Sequence, residues 1–269
     1  MKENKPLVSL WILMYNNSSD LKETVDSVLM QDYEEIEVLF SDDGSTKIDR
    51  DAVEKEAERV RKKYPEVRVY FNPENVGTVA HINSVIDRSK GKYFVSCCPG
   101  DRFHSSDTVR CIAERMEKKH SLMLTTRRND IYPDRISVKP PVITGTALRF
   151  APRLLCDYML RKRNLISGCC TFTARELFER YGKYDTDYRL LEDYPYVIDL
   201  LRNGARIDFM NLVTIDHSIG GVSTGKIHPL IWKDIVCMRE KLLKDPHGLM
   251  KRTVSFLAET QKETSKEAD

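Results

Sequence analysis

Absences narrow this sequence first. It has no apolar run long enough to cross a bilayer: the one within MKENKPLVSLWILMYNN is about seven residues before Asn16, and a spanning helix needs roughly 20. That run is also too short for a signal segment, so the expectation is a soluble or at most peripheral protein. None of the seven cysteines stands in a Cys-x-x-Cys, although Cys97-Cys98 and Cys169-Cys170 are adjacent pairs. Neither a zinc ribbon nor a disulfide scaffold is indicated, and a reducing cytoplasm is the compartment that fits. Global charge is nearly absent, with Lys+Arg 43 against Asp+Glu 41, so no overall field argues for a nucleic-acid partner. No Gly-rich loop bearing Lys or Arg follows the first apolar run, which speaks against a nucleotidyltransferase-type phosphate loop.

What is present is ample for a core: 269 residues with 41% hydrophobic content. Val8 to Met14, Ile36 to Ser41, Val67 to Phe71, Tyr93 to Cys98 and Leu122 to Thr125 read as strands, most too continuously apolar for a half-exposed sheet. Helical spacing separates them. Leu21, Val25, Val28 and Leu29 fall at i, i+4, i+7 and i+8 behind Ser19 or Asp20 as cap; Val79, Ile82, Val85 and Ile86 form a second set, and Val109, Ile112, Ala113 and Met116 a third. The alternation predicts right-handed crossovers and a largely parallel, doubly wound α/β sheet over roughly the first 125 residues. Such sheets bind ligands at the carboxyl ends of their strands.

Those ends carry Tyr15-Asn16-Asn17, Asp42-Asp43-Gly44-Ser45-Thr46, Asn72 to Gly77, and Pro99-Gly100-Asp101. Each alone reads equally well as a turn. Jointly they describe a nucleotide cleft, in which Asp43 can accept from a base N–H, Tyr15 can stack, and Asp101 can hold a divalent cation against a diphosphate.

The segments VSLWILMYNN, SDDGST, NPENVGTVAHIN, GKYFVSCCPGDRF and LLEDYPYVIDLLRNG, in that order, resemble the inverting family 2 glycosyltransferases of the GT-A fold. The resemblance runs from about Pro6 to about Thr224, including GGVST at its end. It implies a Rossmann-like, mostly parallel sheet flanked by helices and a nucleotide-sugar-binding half at 1–125. An acceptor and catalytic-base half at 126–225 and a C-terminal helical extension at 226–269 complete the expected organisation. It also implies transfer of a sugar from a nucleoside-diphosphate sugar, UDP-linked by family habit, to a glycan or lipid-linked acceptor with Mg2+ or Mn2+ as cofactor, in bacterial surface-glycan synthesis.

Carried over residue by residue, the resemblance assigns nucleotide contacts to Leu13, Tyr15, Asp43, Asn75, Gly77 and Gly100. The pattern departs from the family at the fourth tip: where an Asp-x-Asp and a further Asp are usual, this chain has Cys98, Gly100 and Asp101. Asp101 then ligates the cation directly, or acts through water or without a metal. That departure motivates the alternative of a catalytically degenerate relative that binds a nucleotide-sugar or glycan without turnover. Leu13 stands in place of a proline, and Ile82 in place of an arginine that would contact the diphosphate. The acidic pair Glu192-Asp193 matches the family's base motif, with Asp193 in the base position; the competing reading is that both complement a helix dipole. His217 is the candidate third metal ligand or a structural histidine, and His81 a donor contact or equally a packing or hydrogen-bonding residue. Cys169 and Cys170 read as packing residues beside Gly168, since an inverting transfer forms no covalent intermediate.

From Thr126 to Asn164 nine basic residues face three acidic ones, an excess that suits an anionic acceptor, a membrane surface or simply solvent. Pro133, Pro140, Pro141 and Gly145 suggest a long irregular segment before one helix over Ala147 to Arg161. Ile231, Ile235, Met238 and Leu242, with Leu243 and Leu249 beyond, predict an amphipathic helix. It would fold back on the domain, pair as a homodimer or lie at the inner face of the plasma membrane. The polar ETQKETSKEAD is expected to fray.

Overall fold

The computed structural model describes residues 5–219 and 228–244, with side chains to residue 242. The GGVST segment and the polar tail, with Leu249, lie outside the described residues.

Strands β1 (Val8–Met14), β2 (Ile36–Asp42), β3 (Val67–Phe71) and β4 (Tyr93–Ser96) form a parallel sheet in the order β3-β2-β1-β4. Helices α1 (Leu21–Leu29), α2 (Arg50–Arg61) and α3 (Thr78–Arg88) connect them. Alternate residues of one strand enter opposite cores: Val8, Leu10 and Ile12 pack with α1, α2 and α4 (Thr108–Lys119), whereas Trp11 packs with α3. Burial on both faces explains why these strands read as continuous apolar runs rather than as alternation.

Beyond β4 the sheet is mixed. β6 (Met123–Ile131) runs in the same sense as β4, but the antiparallel β8 (Thr171–Ala174) lies between them. β9 (Asp208–Ser218) continues parallel to β6, and the short β5 (Asp101–Phe103) closes the edge antiparallel to β9. The purely parallel reading therefore holds for the first four strands. A strand arriving from 50 residues further along the chain gives no local signal of where it inserts. The border at residues 125 and 126 falls inside β6.

The segment expected to be irregular is a hairpin followed by two helices. β6 extends to Ile131 and pairs with β7 (Ile136–Lys139) across a turn containing Pro133. The single helix expected over 147–161 is α5 (Ile143–Phe150) and α6 (Pro152–Arg161). Pro152 is the reason: it has no N–H for the helix ladder and its ring drives the preceding residue out of helical geometry, so Ala151 sits at φ −143° and Pro152 starts the next helix. α7 (Arg175–Tyr181) and α8 (Asp193–Arg202) follow, and α9 (Pro229–Lys244) returns across the domain with Met238 and Leu242 in the second core. Met238 and Leu242 of its apolar stripe are thus packed against its own chain.

Candidate active site

The four polar strand ends and the later carboxylates line one cleft of about 1360 Å³. Leu13, Tyr15, Asp43, Asn75, Gly100, Asp101, Glu192, Asp193 and His217 all face it. Gly77 does not, and its contribution is indirect.

Asp43, expected to accept from a base, is buried and already accepts four donors. Oδ1 takes Asn72 Nδ2 and the Val76 N–H, each at 3.1 Å; Oδ2 takes Asn75 Nδ2 at 2.8 Å and the Gly77 N–H at 3.0 Å. Four lone-pair sites are then filled, so this carboxylate shapes the 72–77 loop as the pocket wall. Gly77 supplies one of those donors at φ +91°, and a Cβ there would meet Arg189 Cγ at 2.8 Å. Only glycine serves both demands. Tyr15 is 48% exposed at the rim, available for stacking. His81 is buried and hydrogen-bonded to Ser41 Oγ at 2.7 Å, which satisfies it structurally.

The Cys98-Pro99-Gly100-Asp101 stretch is a reverse turn: the Asp101 N–H donates to Cys98 O at 2.8 Å, with Gly100 at φ +94°. Proline then glycine at the two central positions is the composition of a type II turn. The reversal starts β5 and sets Asp101 opposite His217 on β9, with Oδ1 2.6 Å from Nδ1. Burial works to lower the His217 pKa, but the Asp101 carboxylate outweighs it and holds the imidazole above its ordinary value. Cys169 completes a triad whose donor atoms all lie within 4.8 Å of one another. A hydrogen bond with Cys170 and the Arg128 guanidinium, 3.0 Å away, draw the Cys169 thiol down to about 6 against its burial.

These donors fit a divalent cation. One carboxylate, one imidazole and one thiol converge, and His217 Nε2 is buried without a hydrogen-bond partner. Oxygen-only coordination suits Mg2+, whereas nitrogen and sulfur donors favour a transition-metal ion.

In the same cleft, Asp193 opens α8 and its Oδ2 accepts from the Gly168 N–H at 2.8 Å and Asn164 Nδ2 at 3.3 Å. Gly168 adjoins Cys169, so the same short turn touches both carboxylate clusters. Burial, reinforced by the Asp193 charge, pushes Glu192 up to about 8. Burial also raises Asp193, opposed by the N–H groups of Gly168 and Tyr194. The two carboxyls titrate as one coupled unit, and the N–H groups held by Asp193 favour it as the member that gives up its proton first.

Sequence reasoning missed the group that aims this pair. Asp234 of α9 is buried, and its Oδ2 accepts from the backbone N–H groups of Arg189, Leu190 and Leu191 at 3.0, 2.7 and 3.2 Å. It pins the three residues immediately before Glu192. An aspartate inside an otherwise apolar helical stripe was the available signal. Arg128, fixed by Asp130 at 2.7 Å, was likewise legible only as part of a basic excess.

The profile of glycosyl transferase family 2 matches residues 9–182, more than half of the chain. The chain belongs to glycosyl transferase family 2. Glu192, Asp193 and His217 lie past the matched stretch. Curated relatives include an uncharacterized glycosyltransferase of Rickettsia bellii, 26% identical over 95% of this chain and 38% of that protein. Another, from Haemophilus influenzae, is 28% identical over 94% of this chain and 95% of its own length. The chain spans less than two thirds of the Rickettsia relatives it matches. Among solved structures, a mannosyltransferase of Pyrobaculum calidifontis in complex with GDP-Man and Mn2+ superposes with a TM-score of 0.67 at 18% identity, over 94% of this chain and 69% of that one. S. aureus TarS 1-349 in complex with UDP gives 0.65 at 16%, over 93% and 70%. The family 2 glycosyltransferase has the GT-A fold, and no helix among its described residues is long and apolar enough to cross a membrane.

Proposed function

We infer that this glycosyltransferase moves a sugar from a nucleoside-diphosphate sugar, with UDP the first donor to test, to an acceptor hydroxyl with inversion. The observation that carries the reading is the single cleft lined by Asp101 and His217 together with Glu192 and Asp193. UDP in one structural neighbour and GDP-Man with Mn2+ in another support a nucleotide-sugar donor.

In this mechanism Tyr15 stacks on the base at the rim, and the 72–77 loop held by Asp43 forms the wall behind it. Asp101, His217 and Cys169 would hold a divalent cation, which when bound supplies positive charge to the leaving diphosphate. Asp193, ionised and held by Gly168 and Asn164, takes the proton of the attacking acceptor hydroxyl. Glu192 keeps its proton, so the pair carries one negative charge rather than two. The nucleophile approaches from the face opposite the diphosphate, giving inversion in one displacement. A glycan or lipid-linked acceptor in a bacterial surface-glycan route is the destination this reading favours.

The test is donor consumption with a panel of nucleotide-sugars and Mn2+, for wild type, Asp101→Asn and Asp193→Asn, alongside nucleotide titration. Turnover lost in Asp193→Asn with binding retained supports the assignment. Tight binding by the wild type with no turnover for any donor and acceptor would favour the non-catalytic binder suggested by Cys98 and Gly100.

A further inference from the structure

The hairpin and helix pair between β6 and the catalytic turn carries an unusual outer face. Ile136, Val142, Ile143, Phe150, Leu154 and Tyr158 are all exposed, with Ile143, Phe150 and Leu154 at 67%, 73% and 74%. Core packing does not explain them. α6 already buries Leu155, Cys156, Met159 and Leu160, and α5 buries Thr144 and Leu148. Leu154 and Tyr158 are four residues apart, and Ile143 and Phe150 seven apart, so each pair shares one outward helical face. Clustered exposure of large apolar side chains marks an interaction surface.

The charge around this face has one sign. Arg149, Arg153, Lys162 and Arg163 are exposed and make no ion pair with any described residue. The exposed acids of the segment, Asp134 and Asp157, are matched by the neighbouring Arg135 and Arg161. The Arg149 guanidinium lies 4.9 Å over the Phe150 ring, placing a cation beside the most protruding aromatic. Lys139, Pro140, Pro141, Lys162 and Arg163 also line the cleft, so the same segment forms one lip of its mouth.

Large apolar groups flanked by unpaired cations match the chemistry of an anionic bilayer surface: apolar side chains enter the acyl boundary and cations meet the phosphates. We propose that the α5–α6 face docks on an anionic phospholipid membrane, bringing the mouth of the cleft to the lipid surface. This docking stands independently of the transfer reaction and commits no residue of the two carboxylate clusters.

The experiment is co-sedimentation of the full chain with vesicles of phosphatidylglycerol and phosphatidylcholine, against phosphatidylcholine alone. The chain is expected to partition onto the anionic vesicles and to be released by salt. Arg149→Gln with Arg153→Gln should weaken partitioning by about fivefold for each charge removed. Phe150→Ser with Leu154→Ser should weaken it by about tenfold or more, with the unfolding midpoint unchanged because both side chains stand in solvent. Should that pair lower the midpoint, Phe150→Trp in a Trp232→Phe background gives a second readout: quenching by brominated lipid supports docking, and no quenching overturns it. Wild-type chain left in the supernatant, or variants that bind as wild type does, would also overturn it. A concentration-dependent dimer abolished by Phe150→Ser with Leu154→Ser would assign the face to a second copy and equally overturn the proposal.

Discussion

The half of the cleft at the ends of β1 to β4, proposed to bind the nucleotide, and the half proposed to meet the acceptor are built in different ways. On the first side, the groups are held by loops close to their own strands, and the key carboxylate, Asp43, is saturated by four internal donors. On the second, side chains of late helices are fixed by backbone from other segments, Asp193 of α8 by Gly168 and Asp234 of α9 by residues 189–191, while Asp101 meets His217 where the two halves join. The first half has its carboxylate fully hydrogen-bonded, whereas the second keeps a buried acidic pair, with Cys169 and His217 nearby displaced in protonation.

The sharpest way to test that division is Asp193→Asn. It should lower transfer by about 100- to 10,000-fold while nucleotide affinity, measured by titration calorimetry, stays near wild type; a parallel loss of affinity would break the comparison. Next, Asp101→Asn should weaken Mn2+ binding by roughly 10- to 100-fold, read by electron paramagnetic resonance of the free ion, and Cys169→Ser should shift preference from Zn2+ toward Mn2+.

Asp234→Ala leaves three N–H groups without their acceptor. It should reduce kcat by about tenfold or more through misaimed carboxylates, with the KM for the nucleotide-sugar nearly unchanged. Asp43→Ala is the counterpart on the other wall: a loss of about 1–3 kcal/mol in stability, seen in denaturant unfolding, and weaker nucleotide binding, without altered pH dependence of turnover.

The smallest effect concerns pH. Glu192 has a folded pKa of about 8, above its ordinary 4.5. The folded state therefore holds a proton that the unfolded chain has released over that window. Stability from this group is full below pH 4.5 and is lost as pH rises toward 8. Thermal midpoints should fall across that range in wild type and fall less in Glu192→Gln.

Much of the first half was legible because its signals are local. Continuous apolar runs gave β1 to β4, and the Pro-Gly pair at 99–100 marked a turn. The second half was harder. Pro152 signalled a helix boundary that an apolar period of 3.6 overran, and β5 is too short to show a pattern. The Glu192-Asp193 pair stood out only through its resemblance to a family motif, and Asp234, set within an amphipathic stripe, carries no local sign of its partners at 189–191.

The sequence by itself determined the strands β1 to β4 and the helices α1, α3 and α4, because apolar spacing and turn chemistry act within a few residues. Only the tertiary structure decided that Cys169 joins Asp101 and His217, that Asp43 is taken up by donors of the 72–77 loop, and that α9 reaches back to fix the residues just before Glu192. Those pairings span distant parts of the chain, and their energies come from burial and from donors that no local window contains.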